Sequence, residues 1–146
     1  MCSSDLILKL RKECGSNLGA NFDPSHFFWQ GIDPVVAVRE LGKAIFHVHA
    51  KDTEMYPVNL PRTGVLDTKN YTDERNRGWI FRTCGYGHDE RWWKEFVSTL
   101  RMYGYDYVLS IEHEDSLMSA DEGLTKAAAF LNGLIIKEKP GAAWWA

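Results

Sequence analysis

The sequence predicts an α/β fold in which about three parallel strands are flanked by helices. Three apolar runs of strand length alternate with four segments that have the periodicity and the end signals of helices. Strands that alternate with helices pair in parallel through right-handed crossovers. A chain of 146 residues, 45% of them apolar, has room for one domain and its core. We therefore interpret residues 1–146 as a single domain.

Capping residues indicate where the helices begin and end. Gly15 ends the first helix, Asp33 and Pro34 have the cap and first-turn positions of the second, and Asp89 precedes the third. Ser119, with a glutamate three residues later, has the capping-box pattern that begins the fourth. The helices are predicted over residues 3–15, 34–42, 89–104 and 119–138, and the strands over 17–23, 43–52 and 105–115.

The segment from about 53 to 90 is long, polar and rich in turn residues. A connection of this length with little regular structure is uncommon in a compact domain and is typical of functional loops and lids. We predict a long active-site loop in this segment.

Charge, the pattern at the start of the chain and cysteine spacing limit which binding partners and which cellular compartment are expected. The 17 Lys and Arg residues against 20 Asp and Glu residues give a net charge of −3, which disfavours nucleic acid as a partner. The start of the chain has the pattern of neither a signal peptide nor a membrane span, so no membrane partner is expected. The three cysteines lack CxxC spacing and fit a reducing compartment, which predicts a cytoplasmic location.

Each predicted strand ends in residues that can bind a metal or transfer a proton. The three stretches read NFDPSH, HVHAKD and IEHED. Because the carboxyl ends of parallel strands lie on one face, topology alone brings these stretches together. Alternation along the strands then selects the set of Asp23, His49 and Glu112. The same alternation places Ile45 and His47 on the face of His49, with His47 one layer deeper.

One imidazole and two carboxylates form a mixed nitrogen and oxygen site that suits Mn²⁺, Zn²⁺, Co²⁺ or Fe²⁺. Asp23 alone is explained as a turn or cap residue, and His49 alone as a satisfied core histidine. Glu112 is harder to explain, because a carboxylate in an apolar strand is costly to bury unless it is paired or coordinated. Their occurrence at three equivalent strand ends predicts a divalent metal site with all three as ligands.

Residues beside these strand ends are candidates for substrate binding. His26 can hydrogen-bond a substrate hydroxyl, or it can stabilise its own loop. Trp29 can stack on a sugar, whereas Trp79, Trp92 and Trp93 are expected to be packing residues. Lys51 either orients the site and its substrate or pairs with Asp52, and the pairing is the interpretation we favour.

Four stretches resemble the sugar phosphate isomerase/epimerase group of the xylose isomerase-like TIM barrels: NFDPSHFFWQGIDP, FHVHAKDT, GYGHDERWWKEFVSTLR and SIEHEDSLMSADEGL. The resemblance implies the C-terminal portion of a (β/α)8 barrel with one divalent metal at its mouth. It also implies ligands in the order Glu, Asp, His, Glu, the last three matching Asp23, His49 and Glu112, and a substrate-contacting histidine matching His26. No residue corresponds to the first glutamate, and a full barrel takes roughly 250 residues.

The resemblance further implies a metal-dependent isomerase or epimerase of sugars or sugar phosphates. Such an enzyme works by proton transfer through an enediolate, with Glu112 as one of its acid–base residues. Two alternatives stay open. One is a lyase or dehydratase of the same fold that acts on keto-sugars or keto-glycosides, and the other is a non-catalytic remnant or half-barrel subunit that needs a partner chain.

A DNA endonuclease of the same superfamily is disfavoured by the five histidines and the net charge of −3. The absence of the first glutamate and of the preceding strands has two expected consequences. The chain alone should bind metal weakly and turn over substrate poorly. It should also self-associate or pair with an N-terminal half-barrel, because its first strand lacks a neighbour.

Overall fold

The computed structural model describes residues 3–145, and the side chains of residues 5–145. This part of the chain contains a three-stranded sheet and a two-stranded sheet. The strands are β1 (Ala20–Phe22), β2 (Ile45–Ala50), β3 (Asp52–Met55), β4 (Trp79–Arg82) and β5 (Leu109–Ile111). The α-helices are α1 (Ser3–Cys14), α2 (Ser25–Phe28), α3 (Pro34–Leu41), α4 (Leu60–Thr63), α5 (Glu90–Met102) and α6 (Ala120–Asn132), and short 3₁₀ turns cover Gly42–Ala44 and Glu74–Asn76.

The three-stranded sheet confirms the predicted parallel α/β fold. Strand β2 lies in the middle and pairs in parallel with β1 on one side and β5 on the other. The register aligns Phe22 with Val48 and His49 with Ser110. The residues at the carboxyl ends of the three strands therefore lie side by side on one face.

A β-bulge interrupts the alternation of side chains along β2. Ala20 of β1 pairs with Ile45, but the next residue, Asn21, pairs with His47, so Phe46 is an extra residue on β2. An extra residue moves the preceding side chain to the opposite face. Ile45 therefore lies in the core, and its predicted place on the same face as the two histidines is wrong.

The predicted helix starts are confirmed, whereas the fourth helix ends earlier than predicted, at Asn132 and not at 138. The carboxylates of Asp33 and Asp89 and the hydroxyl of Ser119 each accept a hydrogen bond from a backbone N–H in the first turn of the helix that follows. Gly15, just after α1, has a φ of 102°, which favours glycine. Residues 25–28, which lie outside every predicted helix and strand, form the short helix α2.

The segment from 53 to 90 is more regular than the sequence predicts. Strands β3 and β4 form an antiparallel pair in which Asp52 aligns with Arg82 and Met55 with Trp79. Each strand has four residues, and residues 56–78 connect them without any of the short turn patterns that mark a hairpin in a sequence. The expectation of little regular structure is therefore wrong, while the active-site role of the segment stays a prediction.

The core lies between the parallel sheet and its flanking helices. Phe22 and Val48 of the sheet and Trp93 and Phe96 of α5 are all buried, and the rings of Phe22 and Phe96 stack with centroids 5.9 Å apart. Each such side chain contributes on the order of 1.5–3 kcal/mol by leaving water. This packing fixes the sheet whose strand ends carry the candidate site.

Both outer strands of the parallel sheet have an unpaired edge within residues 3–145. Strands β1 and β5 each pair with β2 alone. The residues of β5 are only partly buried, and Tyr107 and Val108 just before it are 69% and 47% exposed. Unpaired edges present backbone N–H and C=O groups that further strands can use.

Candidate metal centre

Three side chains from three strand ends converge on one point. Asp23 follows β1, His49 lies in β2 and Glu112 follows β5. One possible ligand atom from each of these residues lies within 4.8 Å of those of the other two. The structure therefore brings together the three residues that topology predicts, while their role as metal ligands stays a prediction.

The carboxylate of Asp23 is held in place by the helix that follows it. Its Oδ1 accepts hydrogen bonds from the backbone N–H of Ser25 at 2.9 Å and from the Ser25 hydroxyl at 2.7 Å. Its Oδ2 faces the site, where the Nε2 of His26 lies 3.5 Å away. Sequence reasoning did not single out Ser25, although an aspartate two residues before a serine is a recognisable pattern for a local side-chain to backbone hydrogen bond.

The imidazole of His49 presents Nδ1 to both carboxylates. This atom lies 2.8 Å from Oε2 of Glu112 and 3.7 Å from Oδ2 of Asp23. The other ring nitrogen, Nε2, lies 3.3 Å from the side-chain amide nitrogen of Asn21. His47 packs against His49 with ring centroids 5.5 Å apart and is not part of the converging group, as its predicted deeper position implies.

Glu112 is less buried than the sequence suggests. It comes directly after β5, which is an edge strand in the described part of the chain, and its side chain is 38% exposed. The premise that an apolar strand buries this carboxylate is therefore wrong. The charged neighbours of Glu112, rather than low exposure, determine its environment.

Lys51 lies at the centre of the site and not in a pair with Asp52. Its side chain is only 2% exposed, and its ammonium lies 3.2 Å from Asp23 Oδ2, 3.1 Å from Glu112 Oε2 and 2.8 Å from Glu114 Oε2. Burial by itself lowers the pKa of Lys51, but the hydrogen bond to Glu114 and the nearby carboxylates outweigh it and raise the pKa above its usual value. The favoured Lys51–Asp52 pair is wrong, and the role of Lys51 in substrate binding stays a prediction.

The carboxylate of Asp52 instead organises the loop after β4. It is fully buried and accepts hydrogen bonds from backbone N–H groups of the stretch GYGH, residues 85–88, and from the ring of His88. Lys51 lies between β2 and β3, and its partners differ from those of Asp52, the first residue of β3. A residue adjacent to Lys51 in the sequence thus holds the GYGH stretch in place.

An aromatic cluster lies next to the converging residues. The ring of Phe81 is 4.5 Å from the Lys51 ammonium and 5.3 Å from the ring of His26. Trp29 stacks on Trp79 with centroids 5.1 Å apart and an interplanar angle of 8°, and its indole N–H is buried without a hydrogen-bond partner among the described residues. His26 therefore lies beside the site, whereas Trp29 is joined to it only through Trp79 and Phe81. The contact of either residue with a substrate stays a prediction.

The donor set fits a divalent cation. One imidazole nitrogen and two carboxylates are the ligand types that Mn²⁺, Zn²⁺, Co²⁺ and Fe²⁺ accept. The buried ammonium of Lys51 already lies against the carboxylates of Asp23 and Glu112, so the site attracts positive charge at this point. Three protein ligands leave further coordination positions for water, substrate or another ligand.

Comparison with known proteins extends this result. The model of a family described as xylose isomerase-like TIM barrel matches residues 1–134. The chain belongs to this family. The resemblance read from its motifs is therefore confirmed, and the parallel sheet with its helices is part of a TIM barrel.

Two similar proteins are much longer than this chain, and the chain matches only part of each. The chain is 42% identical over 131 residues to YfiH of Bacillus subtilis (strain 168), an uncharacterized protein, and the match covers 90% of this chain and 42% of YfiH. It also superposes on the crystal structure of a xylose isomerase domain protein from Planctomyces limnophilus with a TM-score of 0.65 and 27% identity, covering 91% of this chain and 43% of that one. The chain thus spans less than half the length of both relatives.

The fold is therefore that of part of a xylose isomerase-like TIM barrel. Among residues 3–145, no helix has the length and apolar character needed to cross a membrane. Of the cysteines, Cys14 and Cys84 are free thiols, whereas Cys2 lies outside the described residues. The cytoplasmic location stays a prediction.

Proposed function

We propose that this chain carries three ligands of the metal site of a sugar or sugar phosphate isomerase/epimerase, which transfers a proton through an enediolate. The observation that supports it most directly is the convergence of Asp23, His49 and Glu112 within 4.8 Å at the carboxyl ends of three parallel strands. In TIM barrels this is the face where active sites form. Membership of the xylose isomerase-like family supports the proposed class of chemistry.

The residues of the site have complementary roles in this reaction. Glu112, partly exposed and at the edge of the site, accepts the proton from the carbon next to the substrate carbonyl. Return of the proton to the neighbouring carbon gives isomerisation, and return to the opposite face gives epimerisation. A bound divalent cation would supply Lewis-acid stabilisation of negative charge on the substrate oxygens.

Two cationic or polar groups can bind the substrate beside Glu112. The Lys51 ammonium can donate a hydrogen bond to a substrate oxygen, because it already lies 3.1 Å from the Glu112 carboxylate. The exposed imidazole of His26 can bind a hydroxyl, and Trp29 is the candidate for stacking on the sugar. The contacts of Lys51 with Glu112 and of His26 with Asp23 support the first two of these assignments.

We also propose that further barrel strands complete the site. The unpaired edges of β1 and β5 and the coverage of only 42% of YfiH support this arrangement. In this proposal an N-terminal half-barrel pairs with the open edges and brings the remaining ligand. The chain alone would then bind metal weakly and turn over substrate poorly, and it would act as a half-barrel subunit.

Deuterium exchange tests the reaction class. The chain is assayed in D₂O with Mn²⁺ and a panel of ketoses and ketose phosphates, alone and co-expressed with an N-terminal half-barrel from a longer family member. We expect deuterium at the carbon next to the carbonyl, more with the added half, and none for Glu112→Gln. Loss of a substituent from the substrate instead of exchange would identify the lyase or dehydratase alternative.

Metal content tests the site independently of turnover. Elemental analysis after dialysis should show bound metal in the co-expressed protein and a loss in Asp23→Asn and Glu112→Gln. Glu138→Gln, which removes an exposed carboxylate near the end of the chain, is the matched control and should retain the metal. Equal metal content in all four proteins would refute the proposed site.

A further inference from the structure

One ammonium group serves three carboxylates in the candidate metal centre. Lys51 Nζ lies 3.2 Å from Asp23, 3.1 Å from Glu112 and 2.8 Å from Glu114. The first two are candidate metal ligands, whereas Glu114 is not part of the converging group in residues 3–145. The shortest contact of the Lys51 ammonium is thus with Glu114, which is not one of the candidate metal ligands.

The structure restricts where this ammonium can move. The Lys51 side chain is 2% exposed, and the ring of Phe81 lies 4.5 Å from Nζ. A buried ammonium that loses its carboxylate partners is costly unless other acceptors replace them. Lys51 must therefore keep a carboxylate partner in every state of the site.

A divalent cation on Asp23 and Glu112 would compete with this ammonium. Both would be positive charges beside the same oxygens, and like charges a few ångströms apart repel strongly in a partly buried site. Among the described side chains, Glu114 is the one carboxylate in contact with Lys51 that lies outside the candidate ligand set. Its side chain is 48% exposed, so it can follow Lys51 at little cost.

We propose that Glu114 is a positioning residue that holds the Lys51 ammonium when a divalent cation occupies Asp23 and Glu112, and that this pair sets the affinity of the site for the cation. The inference rests on the proposed metal site. Three carboxylates and one ammonium leave a net charge of −2 when all are ionised, which a divalent cation neutralises. Without Glu114 the ammonium remains on the ligand oxygens and opposes metal binding.

A double-mutant cycle on Mn²⁺ binding tests this inference. The proteins are the parent chain, Glu114→Gln, Lys51→Met and the double variant, and Mn²⁺ affinity is measured by electron paramagnetic resonance and water-proton relaxation, which detect weak binding. We expect Glu114→Gln to weaken Mn²⁺ binding roughly tenfold, the size typical of coupling between neighbouring charges. Lys51→Met should tighten binding, and in that background the effect of Glu114→Gln should fall to about twofold or less.

The outcomes separate this inference from the proposed function. If Asp23→Asn abolishes Mn²⁺ binding but Glu114→Gln has the same effect with and without Lys51, Glu114 acts only as a distant charge, and the inference is refuted while the metal site stands. If the parent and Asp23→Asn bind Mn²⁺ equally, the proposed site fails and the inference with it. Glu138→Gln controls for the loss of one negative charge.

A second cycle needs no metal. The free energy of urea unfolding of the same four proteins, without added metal, should show that Lys51 and Glu114 stabilise each other. Additive effects would refute the pairing even if Mn²⁺ binds. Circular dichroism of each variant checks that it is folded.

Discussion

Oδ1 of Asp52 and Nδ1 of His88 are joined by a hydrogen bond of 2.7 Å, which ties strand β3 to the loop before α5. Oδ2 of the same carboxylate accepts the backbone N–H of His88 at 2.9 Å and those of Gly85 and Gly87 at 3.1 Å each. The indole N–H of Trp93 also points to it, at 3.2 Å. Asp52 is therefore the centre of a network that fixes the loop before α5.

Asp52→Asn should lower the free energy of unfolding by on the order of 3 kcal/mol. The asparagine amide would face backbone donors that need an acceptor, so a buried N–H would lose its partner. Urea unfolding followed by circular dichroism measures the loss. Asp106→Asn changes an exposed aspartate and should have little effect. A variant as stable as the parent would show that the network contributes little.

Gly87→Ala should loosen the same loop for a steric reason. A Cβ at Gly87 would overlap the carbonyl group of Thr53 and lie 2.7 Å from Oδ1 of Asp52. Because the first neighbour is backbone, it cannot rotate away, and we expect destabilisation of about 1–3 kcal/mol. Gly141→Ala is the control, since a Cβ there meets nothing within 4 Å. Equal melting temperatures for the two variants would contradict the tight contact.

Asp67 should make stability depend on pH in the acid range. Its carboxylate accepts hydrogen bonds from the Lys69 ammonium at 3.0 Å and from the backbone N–H of Gly78 at 2.9 Å. The hydrogen bond from Lys69 is the main cause that lowers the pKa of Asp67 to about 2. A pKa lower in the folded than in the unfolded chain stabilises the fold above the unfolded value, and this contribution is lost as the pH falls.

The measurement compares the parent with Asp67→Asn. The parent should be more stable than Asp67→Asn to urea unfolding. This difference should be largest at about pH 6 and should shrink between about pH 4 and pH 2. A difference that stays constant over this range, or grows toward acid, would show that the carboxylate is not held in its ionised form by Lys69 and Gly78.

The unpaired strand edges predict association between copies of the chain. Edge strands with exposed apolar residues present hydrogen-bonding groups to other chains. Sedimentation velocity should show oligomers that increase with protein concentration, and co-expression with an N-terminal half-barrel should suppress them. Val108→Lys, beside β5, should also suppress them by placing a charge at the edge. A single monomeric species at all concentrations would contradict the prediction.

Much of the fold can be predicted from local patterns. The caps at Asp33, Asp89 and Ser119 act within a few residues of their helices, so spacing reveals them. The alternation of strands and helices fixes parallel pairing, and parallel pairing brings Asp23, His49 and Glu112 to one face. These inferences need no knowledge of how distant segments pack.

The β3–β4 hairpin and the bulge at Phe46 could not be predicted in this way. The hairpin joins strands of four residues across residues 56–78, so its pairing depends on contacts between distant segments. The bulge depends on how β1 and β2 align, which no local pattern in either strand specifies. Both features can therefore be recognised only in the folded structure.

The amino-acid sequence by itself determined the α/β class, the parallel pairing of the strands in the central sheet and which three side chains lie close together. Periodicity and capping are local patterns that locate the strands and helices. Parallel pairing of the strands then places their carboxyl ends on one face of the sheet. Only the tertiary structure decided that Lys51 pairs with the carboxylates of the site and that Asp52 accepts hydrogen bonds from the GYGH loop. The two residues are neighbours in the sequence, but charge pairing depends on distances in space, and those distances are set by packing.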